Sequence, residues 1–517
     1  MEPNPSPGLQ IELNHLLSAN AAPTESECIS LRTFIRERQE YAEALKSRAN
    51  TLRFELERTA REELDVAADI RKATMALGSI RRLPPEIICE IFYRAAKYPR
   101  KAYTTDLAPW WLGQISSRWR KIALSFPRLW SKFRVDGEDE LLKRSPELMK
   151  ERISTQLARS GNVLLSLELS FYQAFHGKLL ESAAPAMSLL VSRSAQWRKL
   201  SFTALKQTEA FLTLIQPVKG RLPQLKKLSC HFYSRLNDDL DLDIFLDAPQ
   251  LSQLSLSTRH NQLRFPWMTI RECYLEGNLD EFLPSLAETH VLAELHLNTH
   301  CSVLELPHSM MVRLPSLQRL RAIQTIELSV LTAPNLEHLN TSTKDLHHLS
   351  NFLQRSVCPL SLLGLEEENG YNINISDLVQ GLGYVPSLNL LAMFPRLRDW
   401  TGERFLDDEP RIHDVRPLFA ALKLSAEVGA ADLVPRLSTF IFGFEQNPFV
   451  HDEFLVMVSS RLNPTNPHRL KHLLIEASCR TNHRARGFLA KAPAELVIEY
   501  VDYRALMDLD ELYFPRA

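Results

Sequence analysis

Pro315-Ser316-Leu317-Gln318-Arg319-Leu320-Arg321-Ala322 and, a little further on, Pro334-Asn335-Leu336-Glu337-His338-Leu339-Asn340-Thr341 share one plan. A proline is followed two residues later by a leucine, with further apolar or small residues three and five positions beyond it. The spacing occurs twelve times, from Leu164-Leu167-Leu169 and Trp197-Leu200-Phe202 to Leu437-Phe440-Phe442 and Leu470-Leu473-Ile475. Most middle positions step by 19 to 33 residues, with one step of 49. Apolar triplets arise by accident in any leucine-rich chain, so proline supplies the test. It precedes six of the twelve triplets (Pro223, Pro249, Pro315, Pro334, Pro386, Pro435), whereas 30 prolines in 517 residues predict about 0.7 by chance. Each triplet therefore reads as a short strand with its second and third members on one face and the proline fixing the chain's approach. Helical stretches such as 207–216 and 344–355 return the chain between strands, which predicts an α/β architecture of short parallel strands with helices over 161–517.

Ahead of the repeats, residues 24–77 contain no proline or glycine. Leu31, Ile35, Ala42, Leu45, Ala49, Leu52 and Leu56 follow a four-three spacing, with Arg38 interrupting, which predicts one long amphipathic helix. Thr24-Glu25-Ser26-Glu27 supplies its cap and its acidic first turn. The helix serves equally as a dimerisation segment or as a strut within the chain. Residues 1–23 read as disordered.

Residues 78–132 read as a small helical unit. Proline at a first helical position loses only an amide without a partner, so Pro84-Pro85-Glu86 opens a helix carrying Ile87, Ile88, Ile91, Phe92 and Ala95. Pro109 opens a second, with Trp111, Leu112, Ile115, Trp119, Ile122 and Ala123, and Pro127 ends it. A unit this short buries little, so a partner or interdomain surface is expected. Residues 133–160 read as a helical linker.

Lys plus Arg total 61 against 62 Asp plus Glu, a net charge of −1, so no global basic excess exists to neutralise nucleic-acid phosphates. The seven cysteines are scattered and form no C-x-x-C pair, which fits a reducing cytoplasm or nucleus. No stretch approaches the ~20 apolar residues of a membrane span. Nucleotide-loop, nucleophile-elbow, zincin and kinase signatures are missing. Gly381-Leu382-Gly383 lacks a third glycine and reads as a turn. His290, His296, His300 and Cys301 have no finger spacing. The run Asp238 to Asp243 lacks the glycine and final glutamate of a calcium loop and reads as acidic loop. Cys89 reads as core. The expectation is a non-enzymatic protein without cofactor or metal.

Two resemblances now combine. Ile80-Arg81-Arg82-Leu83-Pro84-Pro85-Glu86-Ile87-Ile88-Cys89-Glu90-Ile91-Phe92 resembles the opening of an F-box. Leu112-Gly113-Gln114-Ile115-Ser116-Ser117-Arg118-Trp119-Arg120-Lys121-Ile122-Ala123 resembles its second half, with Ile115-Ser116 where Val-Cys is usual, and Pro127-Arg128-Leu129-Trp130 its closing segment. The repeats resemble leucine-rich repeats, with Asn278 at the family's asparagine position but Arg259 and His300 at others. In order, long helix, F-box and repeat solenoid resemble the F-box/leucine-rich-repeat family over nearly the whole chain.

The resemblance implies a substrate-recognition subunit of a Skp-cullin-F-box ubiquitin ligase, docked on a Skp-type adaptor and through it a cullin, with the solenoid binding a protein substrate. The implied partner-binding residues are Leu83, Pro84, Ile87, Ile91, Ile115 and Trp119. For Leu83 and Pro84 contact is the better reading; Ile87, Ile91 and Trp119 serve equally to hold the helices together. The residues flanking the strand leucines, such as Lys227 and Ser229, Glu294 and His296, Arg319 and Arg321, His338 and Asn340, are expected to form a mixed polar surface. The alternative is a non-ligase scaffold that dimerises through 24–77.

Overall fold

The computed structural model describes residues 17–18, 22–96, 108–136, 145–171, 178–204, 208–232, 242–258, 262–300, 311–367, 373–394, 414–425, 432–443, 448, 451–462, 468–476 and 496–501. The disorder expected for most of 1–23, the loop 97–107, Cys301 and most of the acidic run 238–243 lie outside these residues. The chain divides into two compact units, Met1–Ile88 and Cys89–Ala517.

The first unit is dominated by α1 (Glu25–Ala76), 52 residues long and roughly 78 Å at 1.5 Å per residue. Its start is the expected capping box. The Glu27 amide donates to Thr24 Oγ1 at 3.4 Å and the Thr24 amide donates to Glu27 Oε2 at 2.7 Å. No residue of α1 is buried. A short 3-10 turn (Ser79–Arg82) leads to α2 (Pro85–Ala95), where Pro85 sits at the first helical position as its missing amide allows.

In the second unit the single helix expected from Pro109 to Ala123 is two. α3 (Ala108–Ile115) and α4 (Ser117–Leu124) are separated by Ser116, whose extended backbone (φ −158°, ψ 161°) ends one helix while its hydroxyl accepts the Trp119 amide at 3.1 Å and caps the next. The residues of the segment 78–132 from 89 onward belong to the second unit. Packing supplies the reason. Trp110 lies edge-on to Trp130 at 5.1 Å, and the Arg159 guanidinium sits over both rings, at 4.8 and 4.4 Å.

Among the described residues the sheet has fourteen strands, all parallel and in chain order. They are β1 (Lys132–Asp136), β2 (Leu165–Phe171), β3 (Trp197–Ala204), β4 (Lys227–His231), β5 (Gln253–Thr258), β6 (Glu272–Asn278) and β7 (Glu294–His300), continuing through β8 (Arg319–Ala322), β9 (His338–Ser342), β10 (Leu362–Glu366), β11 (Leu390–Phe394), β12 (Thr439–Phe442), β13 (His472–Glu476) and β14 (Val497–Val501). A two-residue parallel pair, Val312–Arg313 with Leu331–Thr332, stands apart. Among the described connections, α5 (Pro146–Ser160), α6 (Lys178–Val191), α7 (Thr208–Ile215), α8 (Leu279–Ala287), α9 (His347–Ser356), α10 (Ile375–Leu382), α11 (Arg416–Leu422) and α12 (Asp452–Arg461) return the chain. The second and third members of all twelve triplets fall on strands, and all of them except the buried Thr341 belong to one continuous hydrophobic core.

Local chemistry explains the regularity. At each of the six prolines, the N–H of the triplet's first residue donates to a carbonyl three residues back, as in Leu225 to Leu222 (3.3 Å), Leu251 to Ala248 (3.1 Å) and Leu388 to Val385 (3.1 Å). Proline thus occupies the second position of a β-turn, where its fixed φ is already correct. The polar residue after it ties the turn to the preceding repeat. Ser316 Oγ donates to the His290 carbonyl (2.6 Å), Asn335 Nδ2 to Pro315 (2.7 Å) and Ser387 Oγ to Leu360 (2.8 Å).

Two further expectations change. Residues 133–160 are not a linker: β1 opens the sheet, and Met149, Ile153 and Leu157 of α5 enter its core. Gly381 lies in the last turn of α10 and Gly383 caps it, so the glycine pair marks a helix end rather than a free turn. The structure is therefore mixed α/β, with a long N-terminal helix and a large parallel sheet.

Candidate functional site

α2 has two contrasting faces. Ile88 is fully buried and Phe92 nearly so, while Ile87 is 49% and Ile91 40% exposed. Positions four apart share a helix face, so Ile87 and Ile91 form an open aliphatic pair. Pro84 is exposed and Leu83 half-buried. Cys89, expected in the core, is only half-buried.

In the second unit, Ile115 is 53% exposed and Trp111, one turn earlier on α3, is 42% exposed, while Leu112 between them is buried. Trp119 is half-buried with its ring 4.8 Å from Phe92, so it holds these helices together. Of the six candidates, Pro84, Ile87, Ile91 and Ile115 are open, and Leu83 and Trp119 are partly covered. Trp111, outside the six, lies four residues before Ile115 and is its partner on the same face.

The strand face opposite the core carries the residues between the triplet leucines. It departs from the expected wet polar surface in two places. At its centre, His296, Arg321 and Asn340 are buried. Pairing within and across strands accounts for this. His296 Nε2 lies 2.9 Å from Glu294 Oε1, and Arg319 Nη2 3.3 Å from Glu294 Oε2. Glu366 Oε1 accepts from Arg321 Nη2 at 2.6 Å and from Asn340 Nδ2 at 2.9 Å. The hydrogen bond from His296 holds the Glu294 carboxyl below the usual carboxylate range, burial opposing and Arg319 assisting. Burial, reinforced by Arg319, pushes the His338 imidazole down, favouring its neutral form.

From β10 onward apolar residues enter the same face, alongside Glu366, Thr439 and His472. In register with Asn340 come Gly364, Ala392, Ile441 and Leu474, and in register with His338 come Leu362 and Leu390. Leu362, Leu390, Ala392, Ile441 and Leu474 are all buried there.

Among the described residues no three of His, Cys, Asp and Glu gather as metal ligands, and no helix is long and apolar enough to cross a membrane. Burial pushes the Cys273 thiol far up and the Cys358 thiol up to about 11, which leaves both protonated and unreactive at neutral pH. A scan against protein-family models finds no match, and a search of the curated proteins finds no matching relative.

Proposed function

We propose that this chain is the substrate-recognition subunit of a Skp-cullin-F-box type ubiquitin ligase, with residues around 80–130 acting as the F-box and the parallel sheet as a leucine-rich-repeat solenoid. The observation that carries the reading is the open aliphatic pair Ile87 and Ile91 on a helix whose other face is sealed. Exposed, adjacent aliphatic side chains at a segment that resembles an F-box fit insertion into a partner's apolar groove, where such anchors supply most of the affinity. Ile115 and Trp111 offer a second apolar pair on α3. On this reading the chain contributes binding and no chemistry of its own, and its place is the cytoplasm or nucleus where such ligases assemble. Copurification of the tagged full chain with a Skp-type adaptor tests it. Recovery of the adaptor, lost in Ile87→Asp/Ile91→Asp at unchanged circular dichroism, is the expected result, and no adaptor with either protein is the contrary one.

A specific observation favours a second role beside this. Ile35, Leu45, Leu52 and Leu56 of α1 are all about half or more exposed along a helix with no buried residue. Isolated helices gain most of their stability from packing an apolar face, so α1 fits pairing with a second copy of itself. Sedimentation of the full chain distinguishes monomer from dimer.

A further inference from the structure

Three lysines that the pattern of leucines does not explain share one line across the start of the sheet. Lys132 on β1, Lys199 on β3 and Lys227 on β4 occupy the same register position, with Ser166 of β2 between the first two. Lys199 and Lys227 are direct neighbours on adjoining strands, about 4.8 Å apart. The residues just before them, Arg198 and Lys226, are exposed and joined backbone to backbone at 2.9 Å. Like charges directly opposite on neighbouring strands destabilise a sheet unless something neutralises them. Among the described residues neither Lys199 nor Lys227 forms an ion pair, and Lys132 lies 4.4 Å over the Tyr93 ring rather than against a carboxylate. The crowding registers on Lys199. Its ammonium is held below the usual lysine range, first by burial and then by Lys227 and Lys132, with Glu168 acting in the opposite sense.

The surface beside the lysines is rich in hydroxyls. Ser201, Ser229 and Ser255 follow one another in register on β3, β4 and β5, two residues along from the basic line. The next strands reverse the charge, with Glu272 on β6 and Glu294 on β7 in the lysine position.

We propose that the trough formed by Lys132, Lys199 and Lys227 with Ser201 and Ser229 binds an acidic polypeptide segment laid across strands β1 to β4. The inference takes from the proposed function only that such a segment belongs to the substrate. Three strand spacings make the line about 14 Å long, and side chains on one edge of an extended peptide recur every ~7 Å, so two or three carboxylates meet the basic line. Hydroxyls beside the ammonium groups complete their hydrogen bonds. A nucleic acid is disfavoured because the trough offers serines where base stacking needs aromatic faces, and because its positive stretch ends at Glu272.

Fluorescence anisotropy of a labelled octaglutamate peptide with the full chain at low salt tests the proposal. Octaglutamate is expected to bind and to weaken as salt rises, and Lys199→Glu/Lys227→Glu is expected to bind at least tenfold more weakly at an unchanged thermal midpoint. Lys471→Glu, at the far end of the sheet, is expected to bind as wild type. Equal affinity of the double variant overturns the proposal, as does tighter binding of an oligothymidylate of the same charge. Recovery of a Skp-type adaptor by the double variant is scored separately. No octaglutamate binding by wild type with its adaptor recovery intact defeats the trough alone, whereas octaglutamate binding with no adaptor recovered by wild type defeats the docking reading alone.

Discussion

The indole Nε1 of Trp130 donates to the carbonyl of Ala123, seven residues back, at 2.7 Å inside the protein. Trp197 does the same to Leu190, also seven residues back, at 3.1 Å. Each tryptophan lies at the head of a strand, three residues before the first of two core residues: Phe133 and Val135 in one case, Leu200 and Phe202 in the other. The segment with the F-box resemblance thus ends on the same device that starts a repeat, two residues before the sheet begins.

That device gives a direct expectation. Trp130→Phe keeps most of the buried ring but leaves the Ala123 carbonyl without its donor. Loss of one buried hydrogen bond costs about 1–3 kcal/mol, and the Arg159 guanidinium 4.4 Å away loses part of its cation–π partner as well. A urea titration of the purified chain should show a lower midpoint with an unchanged slope.

β1 escaped the sequence reading for a traceable reason. Trp130-Phe133-Val135 has the triplet spacing, but it sits where the F-box resemblance ends, and its proline, Pro127, is three residues ahead of Trp130 rather than two. The other twelve strands with triplets were legible because leucine spacing and proline turns are local. β14 was not, since Glu495 stands where its triplet should begin. Burial on the opposite face was also illegible: whether Arg321 or Asn340 is wet depends on Glu366, a residue two strands away from Arg321. For the docking candidates, helix phase separated Ile88 from its neighbours only once α2 was placed.

Arg461, the last residue of α12, is fully buried. Its guanidinium donates to the carbonyls of Leu422 (2.8 Å), Leu433 (2.9 Å) and Val434 (3.1 Å), joining the helix after β12 to the turn before it. Burial pushes its pKa down to about 10, with Asp432 opposing. Arg461→Met fills a similar volume but abandons three acceptors, at a cost of roughly 2–4 kcal/mol. Arg461→Lys, with a single nitrogen in place of the planar fork, should fall between the two in chemical unfolding.

Ile87 and Ile88 are adjacent in sequence yet differ completely in exposure. Ile88→Asp places a carboxylate where no water reaches and should lower the thermal midpoint by several degrees. Ile87→Asp should leave the midpoint within about a degree, since exposed substitutions usually change stability by less than ~0.5 kcal/mol. Differential scanning fluorimetry on the two variants, side by side, checks whether α2 is oriented as described.

Glu327 sits in a short 3-10 segment between β8 and β9 and is fully buried. Its Oε1 accepts from the Thr299 amide at 2.8 Å and from the Thr299 hydroxyl, and its Oε2 accepts from the Gln324 amide at 3.2 Å. Burial dominates over these hydrogen bonds and raises the carboxyl pKa from 4.5 to about 7. The folded chain therefore holds a proton that the unfolded chain releases. Below about pH 4.5 both states are protonated and the site carries no penalty. As pH rises from there to about 7 the unfolded state gains from ionising while the folded state does not, and stability falls by about 3 kcal/mol at ~1.4 kcal/mol per pKa unit. Above pH 7 the loss is complete and the slope flattens. Glu327→Gln cannot ionise, so urea midpoints measured at pH 5 and pH 7.5 should drop between the two in wild type and change by less in the variant. An equal drop in both proteins would place the proton elsewhere.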